Sequence, residues 1–274
     1  MTNPIPPDNP VGARFIVPAP AKGTQPEGAH TEAEASRKVR EMFTQIAPRY
    51  DLLNHLLSLE LDRLWRKRVA SRLRPILANP DAAVLDLCCG TGDLSFALAR
   101  EGKARVYGAD FAHPMLLRAK QKNSLQSGNS SEPAPNPLPF LEADALRLPF
   151  ADSSFDLVTT AFGFRNLANY ESGLREIQRV LKPGGTIAIL EFTEPPDDFV
   201  GNVFRWYYRN VLPRIGALIS GDSSAYTYLP KSVARFFRPT ELASLMFTVG
   251  YQSVAFKVWT FGTVALHTAA RPSE

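Results

Sequence analysis

Between Ala82 and Asp93 the chain reads Ala-Ala-Val-Leu-Asp-Leu-Cys-Cys-Gly-Thr-Gly-Asp, an apolar run that empties into a turn bracketed by two glycines. No other stretch constrains the fold as much. A nearly continuous apolar strand expects cover on both faces, and a glycine turn leading directly into a helical pattern is how such a strand passes its chain to the layer above a parallel sheet. Gly90 and Gly92 permit positive backbone dihedrals and close approach of a ligand, and Asp86 and Asp93 place an acceptor on either side. Acids there suit cationic or hydroxyl groups and repel phosphate.

The downstream pattern bears out an alternation of strand and helix. Strands are expected at Ala82 to Leu87, Ala104 to Ala109, Phe140 to Glu142, Phe155 to Thr160 and Thr186 to Phe192, with helices at Asp93 to Arg100, Pro114 to Lys122 and Tyr170 to Leu181. Lys182-Pro183-Gly184-Gly185 reads as the turn before the last of these strands. An aromatic, basic segment from Phe199 to Lys231 precedes a helix at Thr240 to Val249, ended by Gly250. Two further strands, Ser253 to Trp259 and Thr263 to His267, are so closely joined that they must run antiparallel. Asn123 to Pro139 is polar and proline-rich and reads as a loop inserted between helix and strand.

Ahead of this series, residues 1–30 carry seven prolines and few large apolar residues, which predicts a disordered leader. From Ser36 the spacing of Val39, Met42, Phe43 and Ile46 predicts a helix up to Pro48, and a second helix is expected at Leu59 to Leu73 with Leu61, Leu64, Trp65 and Arg68 on one side. Residues 31–274 then form one domain, of which 31–80 are its N-terminal helices. With 45% hydrophobic and 21% charged residues the chain can bury one full core and not two. The two cysteines, Cys88 and Cys89, are adjacent, so they make neither a disulfide framework nor a spaced metal site, and a reducing cytoplasmic setting is expected. His55, His113 and His267 have no metal-ligand spacing either. No apolar run is long enough to span a bilayer, which predicts a soluble or peripheral protein.

In a doubly wound sheet the ligand sits beyond the carboxyl ends of the strands, so the residues that follow each strand carry the chemistry. Three places there hold suitable groups: the Gly90-Thr91-Gly92 turn, Asp110, able to accept both hydroxyls of a ribose, and Asp144-Ala145, placed for an adenine amine. Together they describe an adenosine-shaped cleft, and with the acidic flanks they point to S-adenosylmethionine. A dinucleotide reading would want a third glycine where Ser95 stands. Taken alone, Asp110 reads equally well as a helix cap.

Asp86 to Asp93, Asp110, Asp144-Ala145, Lys182 to Gly185 and Glu191-Phe192 resemble the class I S-adenosylmethionine-dependent methyltransferases. More specific are Ile46 to Asn54 (Ile-Ala-Pro-Arg-Tyr-Asp-Leu-Leu-Asn), Ser58, Arg63-Leu64-Trp65-Arg66, Phe162-Gly163-Phe164-Arg165-Asn166 and Ser223 to Ser232, which resemble the quinone C-methyltransferases of ubiquinone and menaquinone biosynthesis. The likeness runs from about Val39 to about His267. It implies an α/β fold, a Rossmann-like seven-stranded sheet with an N-terminal helical lid. The activity it implies is methylation of a ring carbon on a prenylated hydroquinone, with demethylmenaquinol favoured over a ubiquinol precursor.

That chemistry needs a group that takes up or stabilises the charge of a phenol losing its proton. Arg165 and Asn166 are the first candidates, and Tyr50, Asp51 and Asn54 would close the cleft from the N-terminal side, with Tyr50 or Asp51 as proton acceptor. For Arg165 the plainer reading is a pairing with a carboxylate, and for Tyr50 a packing role. Expected cofactor contacts are Asp86, Gly90, Thr91, Gly92, Asp110, Asp144 and Ala145. An RNA methyltransferase of the same fold would want Asn-Pro-Pro-aromatic where Ala161-Phe162-Gly163-Phe164 stands, so no nucleic-acid partner is expected. A silent quinone-binding scaffold is the other alternative, and the intact glycine turn argues against it. Because the prenyl tail lives in a bilayer, peripheral membrane contact is expected. Its candidate surfaces are Arg63, Arg66, Lys67, Arg68, Arg72 and Arg74 with Trp65 and Leu73, and the segment Phe204 to Arg209.

Overall fold

The computed structural model describes residues 23–51, 58, 60–128, 138–195, 197–207, 210 and 224–274. Residues 1–22 of the expected leader, Asn54 and His55, the prolines between 129 and 137, Tyr208, Arg209 and Ser223 lie outside them.

Chain order begins with α1 (Glu32–Ile46), a 3-10 turn (Ala47–Arg49), α2 (Leu61–Arg72) and a short α3 (Arg74–Leu77). The core series is β1 (Ala83–Leu87), α4 (Asp93–Glu101), β2 (Arg105–Asp110), α5 (His113–Gly128), β3 (Phe140–Glu142), β4 (Phe155–Ala161), a 3-10 turn (Phe164–Asn166), α6 (Tyr170–Val180) and β5 (Leu181–Phe192). The chain ends with α7 (Phe199–Trp206), α8 (Ser224–Arg235), α9 (Pro239–Val249), β6 (Gln252–Trp259), a 3-10 turn (Thr260–Gly262) and β7 (Val264–Ala270). The seven strands lie in the order β3-β2-β1-β4-β5-β7-β6. Pairings among β1 to β5 are parallel, and β7 runs antiparallel to both β5 and β6. The strand order turns back at β1 and β4, and a ligand crevice opens beyond the carboxyl ends at that switch.

Side chains alternate across the sheet and sort into two cores. Leu85, Leu87, Val158 and Ile189 pack with α6 and α9 through Leu174, Ile177 and Met246. Val84, Leu157 and Ala188 pack on the other face with Trp65 and Val69 of α2 and Leu94 and Leu98 of α4. This alternation sends Asp86 to the Val84 face, toward α4.

Several boundaries differ from the sequence reading for physical reasons. Thr31 caps α1 by accepting from Glu34 N–H at 3.2 Å, so the helix starts four residues before Ser36. Helix α5 continues past Lys122 to Gly128, into the stretch expected to be loop, because no proline interrupts it there and prolines begin only at Pro133. Lys182 to Gly185 is a bulge inside β5 and does not precede it: Leu181 pairs with Phe155 and Thr186 with Leu157, so four residues answer one, and Gly184 sits at φ 74°.

The face that α2 buries is also rotated from the expected one. Leu64 is 41% exposed while Asp62, Trp65, Arg66, Val69 and Ala70 are buried. Burying Asp62 and Arg66 is tolerable because they pair with one another. With Trp65, Arg66 and Leu73 in the core, the proposed basic-aromatic docking face on this helix loses its apolar members.

Residues 23–30, expected to belong to the disordered leader, are docked. Thr24 N–H donates to Leu167 C=O at 2.7 Å, and the Thr24 side chain is buried against Tyr228. A Cβ on Gly23 would stand 1.8 Å from the Ala168 oxygen, so only glycine lets the strand-like segment lie this close.

Candidate active site

At the end of β1 the backbone enters the left-handed region three times, at Cys88 (φ 55°), Gly90 (φ 55°) and Gly92 (φ 86°). The two glycines do different work. A Cβ on Gly92 would meet the rings of Phe140 at 2.9 Å and Phe96 at 3.0 Å, so this position is small for packing. A Cβ on Gly90 would find only Tyr50 Cε1 at 3.7 Å, so this position is open toward the cleft.

Asp110, the last residue of β2, is buried with both oxygens engaged: Oδ2 accepts from Gly90 N–H and Oδ1 from Ala112 N–H, each at 2.8 Å. Burial pushes its carboxyl up to about 6 against the pull of these N–H groups. Asp144, beyond β3, is exposed and braced by Leu146 N–H at 2.9 Å. The cleft's open space, solvent at its mouth included, is about 640 Å³, and its lining includes Gly90, Asp110, Asp144, Ala145, Asn166 and Tyr50, six of the residues singled out from sequence. Phe43, Cys88, Phe111, Met115, Ala143, Phe162 and Gly163 add an apolar wall.

Asp86, Thr91 and Gly92 stand behind that surface. Asp86 is fully buried and accepts from Ser95 Oγ at 2.5 Å and Thr159 Oγ1 at 3.1 Å, which ties β1 to β4 and to the first turn of α4. Burial pushes its carboxyl up to about 7, although both hydroxyls pull the other way. It holds the turn in place from below. Ser95, noted only as a missing glycine, is the residue that makes this possible. Thr91 is buried too, donating to Asp51 Oδ1 at 2.5 Å.

On the β4 side, Phe162 adopts φ 60° and opens the turn that carries Arg165 and Asn166. The Arg165 guanidinium is buried and points away from the cleft: Nη1 donates to Glu191 Oε1 at 2.8 Å and to Phe162 C=O at 2.5 Å, and Nε to Ser232 Oγ at 3.4 Å. Burial pushes the Glu191 carboxyl up, and Arg165 draws it back. Asn166 reaches the lining with its amide fixed, Nδ2 donating to Phe162 C=O at 3.4 Å and Oδ1 accepting from Tyr228 O–H at 3.0 Å. Asp51 is held by Thr91 and by Lys122 at 2.8 Å. Trp65, Phe162 and Phe192 form a continuous aromatic block behind the cleft, with Phe162 and Phe192 centroids 4.5 Å apart.

The charged residues on the described lining are both acids, Asp110 and Asp144. A pyrophosphate finds no cation among these lining residues, whereas an adenosine joined to a sulfonium finds carboxylates for its hydroxyls and its charge. The donor set fits S-adenosylmethionine and not a dinucleotide.

Comparison with known proteins agrees with this geometry. Residues 31–271 match the model of the ubiE/COQ5 methyltransferase family. A demethylmenaquinone methyltransferase of Thermus thermophilus is 48% identical over 232 residues, covering 84% of this chain and all of that protein. One from Deinococcus radiodurans is 46% identical, covering 85% of this chain and 92% of that protein. Among solved structures, a SAM-dependent methyltransferase of Thermotoga maritima superposes with a TM-score of 0.55 at 18% identity, over 84% of this chain and 99% of that one, a likeness of fold alone.

Proposed function

The chain belongs to the ubiE/COQ5 methyltransferase family, and from that premise we propose that it transfers the methyl group of S-adenosylmethionine to a ring carbon of a prenylated hydroquinone, turning demethylmenaquinol into menaquinol. The observation that carries this reading is the match over residues 31–271, together with relatives near half identity that bear that activity in their names. The cofactor supplies an electrophilic methyl group, and this chain's residues supply position and charge.

On the cofactor side we assign Asp110 to the ribose hydroxyls, Asp144 and Ala145 to the adenine edge, and Gly90 to close backbone contact. Asp86, Thr91 and Gly92 serve the same site by fixing the turn. On the acceptor side Asn166 and Tyr50 line the cleft, and we assign them the phenolic oxygen: the Asn166 amide, held by Tyr228 and Phe162, offers a donor, and the Tyr50 hydroxyl relays the departing proton, accepting it as it passes its own to solvent. Arg165 works through Asn166, because its ion pair with Glu191 holds the Phe162 to Asn166 turn against β5. Phe162 presents an aromatic wall to the acceptor ring.

The prenyl tail requires an opening toward lipid. Phe199, Val203 and Trp206 share one face of α7 and are 82%, 50% and 60% exposed. Beside them Phe261, 69% exposed, crowns the turn against which α7 rests. That turn precedes Val264, the partner of Phe192, so the patch lies at the same end of the sheet as the cleft. We assign the bilayer contact to this patch in place of α2. Among the described residues no helix is long and apolar enough to cross a membrane.

The test is transfer of labelled methyl from S-adenosylmethionine to demethylmenaquinol and to the ubiquinol precursor, side by side. Label in the menaquinol is expected. A chain that binds the cofactor and labels neither would overturn the reading.

A further inference from the structure

Lys122 belongs to none of the motifs read from the sequence, yet each of its three N–H donors has an acceptor. They are Asp51 Oδ2 and Asp93 Oδ1, both at 2.8 Å, and Thr91 Oγ1 at 2.9 Å. Thr91 in turn gives its proton to Asp51 Oδ1, which closes a ring. Three parts of the chain meet there: Asp51 (the second residue after the first 3-10 turn), the glycine turn, and α5.

The other oxygen of Asp93 faces Arg66 at 3.7 Å, Arg66 pairs with Asp62, and Asp62 accepts from Ser58 Oγ at 2.7 Å. Asp51 and Ser58 flank residues 52–57, so both ends of that stretch are tied to one carboxylate, Asp93. Three carboxylates against two cations leave the cluster one negative charge.

Tyr50 carries the consequence to the cleft. Asp51 is its neighbour, and the Tyr50 ring lies across Gly90 on the lining. Apolar contact also holds this part of the chain, through Ala47 against Ala112 and Met115 with Phe43, Ile46, Tyr50 and Phe111 beside it. The ionic ring supplies direction that these small contacts lack.

We propose that Lys122 is a positioning residue that latches the N-terminal lid to the glycine turn, so that the form of the cleft that binds cofactor is the one with the Lys122, Asp51 and Asp93 ring closed. The proposal rests on the reading that this cleft binds S-adenosylmethionine. It also gives Asp51 a role other than proton acceptor, since both of its oxygens are engaged in the latch.

Binding to a form that is only partly populated is weakened in proportion to that population. Titration calorimetry with S-adenosylmethionine, and methyl-transfer kinetics, are to be run on the full chain and on Lys122→Met, Lys122→Arg, Asp51→Asn and the Lys122→Met/Asp51→Asn double variant. Lys122→Met is expected to raise Kd about tenfold and to raise KM for the cofactor more than it lowers kcat. Lys122→Arg should restore most of the affinity. In the Asp51→Asn background the lysine change should cost less than about threefold, the mark of two residues acting as one unit. Unchanged Kd and KM in Lys122→Met would overturn the latch. So would full additivity in the double variant, or a drop in thermal stability with binding intact. A wild-type chain that binds no cofactor would instead refute the functional reading on which the latch rests.

Discussion

Asp110→Asn separates what this carboxylate does for the ligand from what it costs the fold. Its pKa of about 6 lies above the ordinary 3.8 because burial outweighs the N–H groups of Gly90 and Ala112. A shift of roughly 2 units makes ionised Asp110 a burden of about 3 kcal/mol at pH 8. The folded value exceeds the unfolded one, so the unfolded chain releases its proton first as pH rises, and stability declines between about pH 4 and 6 and is level above. At pH 5 only about half of that burden is present. Between pH 8 and 5 the wild type should therefore gain about 1 kcal/mol relative to the asparagine variant, which does not titrate. In the variant one backbone N–H faces an amide N–H, a loss of ~1–3 kcal/mol, so the two proteins should be of similar stability at pH 8. Affinity moves the opposite way. At pH 5 about one-tenth of Asp110 is ionised, so Kd for S-adenosylmethionine should rise roughly tenfold from pH 8 in the wild type and stay level in the variant. Urea unfolding and calorimetry at matched pH values measure both. A wild-type Kd as flat in pH as that of the variant would refute the ribose assignment, and stability that rises from pH 4 to 6 relative to the variant would refute the burial argument.

Asp86→Asn should flatten the pH dependence of stability between about pH 4 and 7, where the wild type loses about 4 kcal/mol as the buried carboxyl ionises, and should leave cofactor affinity within about threefold. A large loss of affinity with unchanged stability would return Asp86 to direct contact. Arg165→Met or Glu191→Gln alone leaves one buried charge unmatched and should cost about 3–5 kcal/mol in unfolding; the double change should recover most of the stability and little of the turnover. Recovery of both would reduce the pair to scaffolding. Sedimentation with anionic liposomes should capture the wild type better than Phe199→Ser/Trp206→Ser, and equal capture would remove the α7 patch from the membrane.

The sheet was legible because buried parallel strands are written as apolar runs that little else in the chain imitates, and the close spacing of the last two strands allows only an antiparallel pair. What escaped depended on partners distant in sequence. Arg66 was read as part of a basic docking surface and is buried, paired with Asp62 one turn away. Lys182 to Gly185 was read as a turn ahead of β5, but Leu181 already pairs with β4 before it and Thr186 resumes the pairing after it. In the site, Gly90, Asp110, Asp144, Ala145 and Asn166 reached the lining because strand ends point there by topology, and Tyr50 reaches it from the 3-10 turn that follows α1. Asp86 sits within a strand, where period two sends it to the Val84 face, so its place was within reach of the pattern. Lys122 was not: its acceptors lie 29, 31 and 71 positions away and share no periodicity with it.

The acids that exclude a phosphate also bear on turnover. Methyl transfer removes the positive charge from the cofactor's sulfur, while the carboxyl groups of Asp110 and Asp144 stay on the lining. The attraction that favours the donor is therefore spent in the step itself, and the neutral product is held by the adenosine contacts that both forms share. Arg165 is matched by Glu191 and stays out of this balance, and the cluster of Lys122 and Arg66 with Asp51, Asp62 and Asp93 stands behind the lining. Discrimination between donor and product thus falls on two carboxylates at the ends of β2 and β3. It should weaken at low pH, as Asp110, with a pKa that burial raises to about 6, takes up its proton.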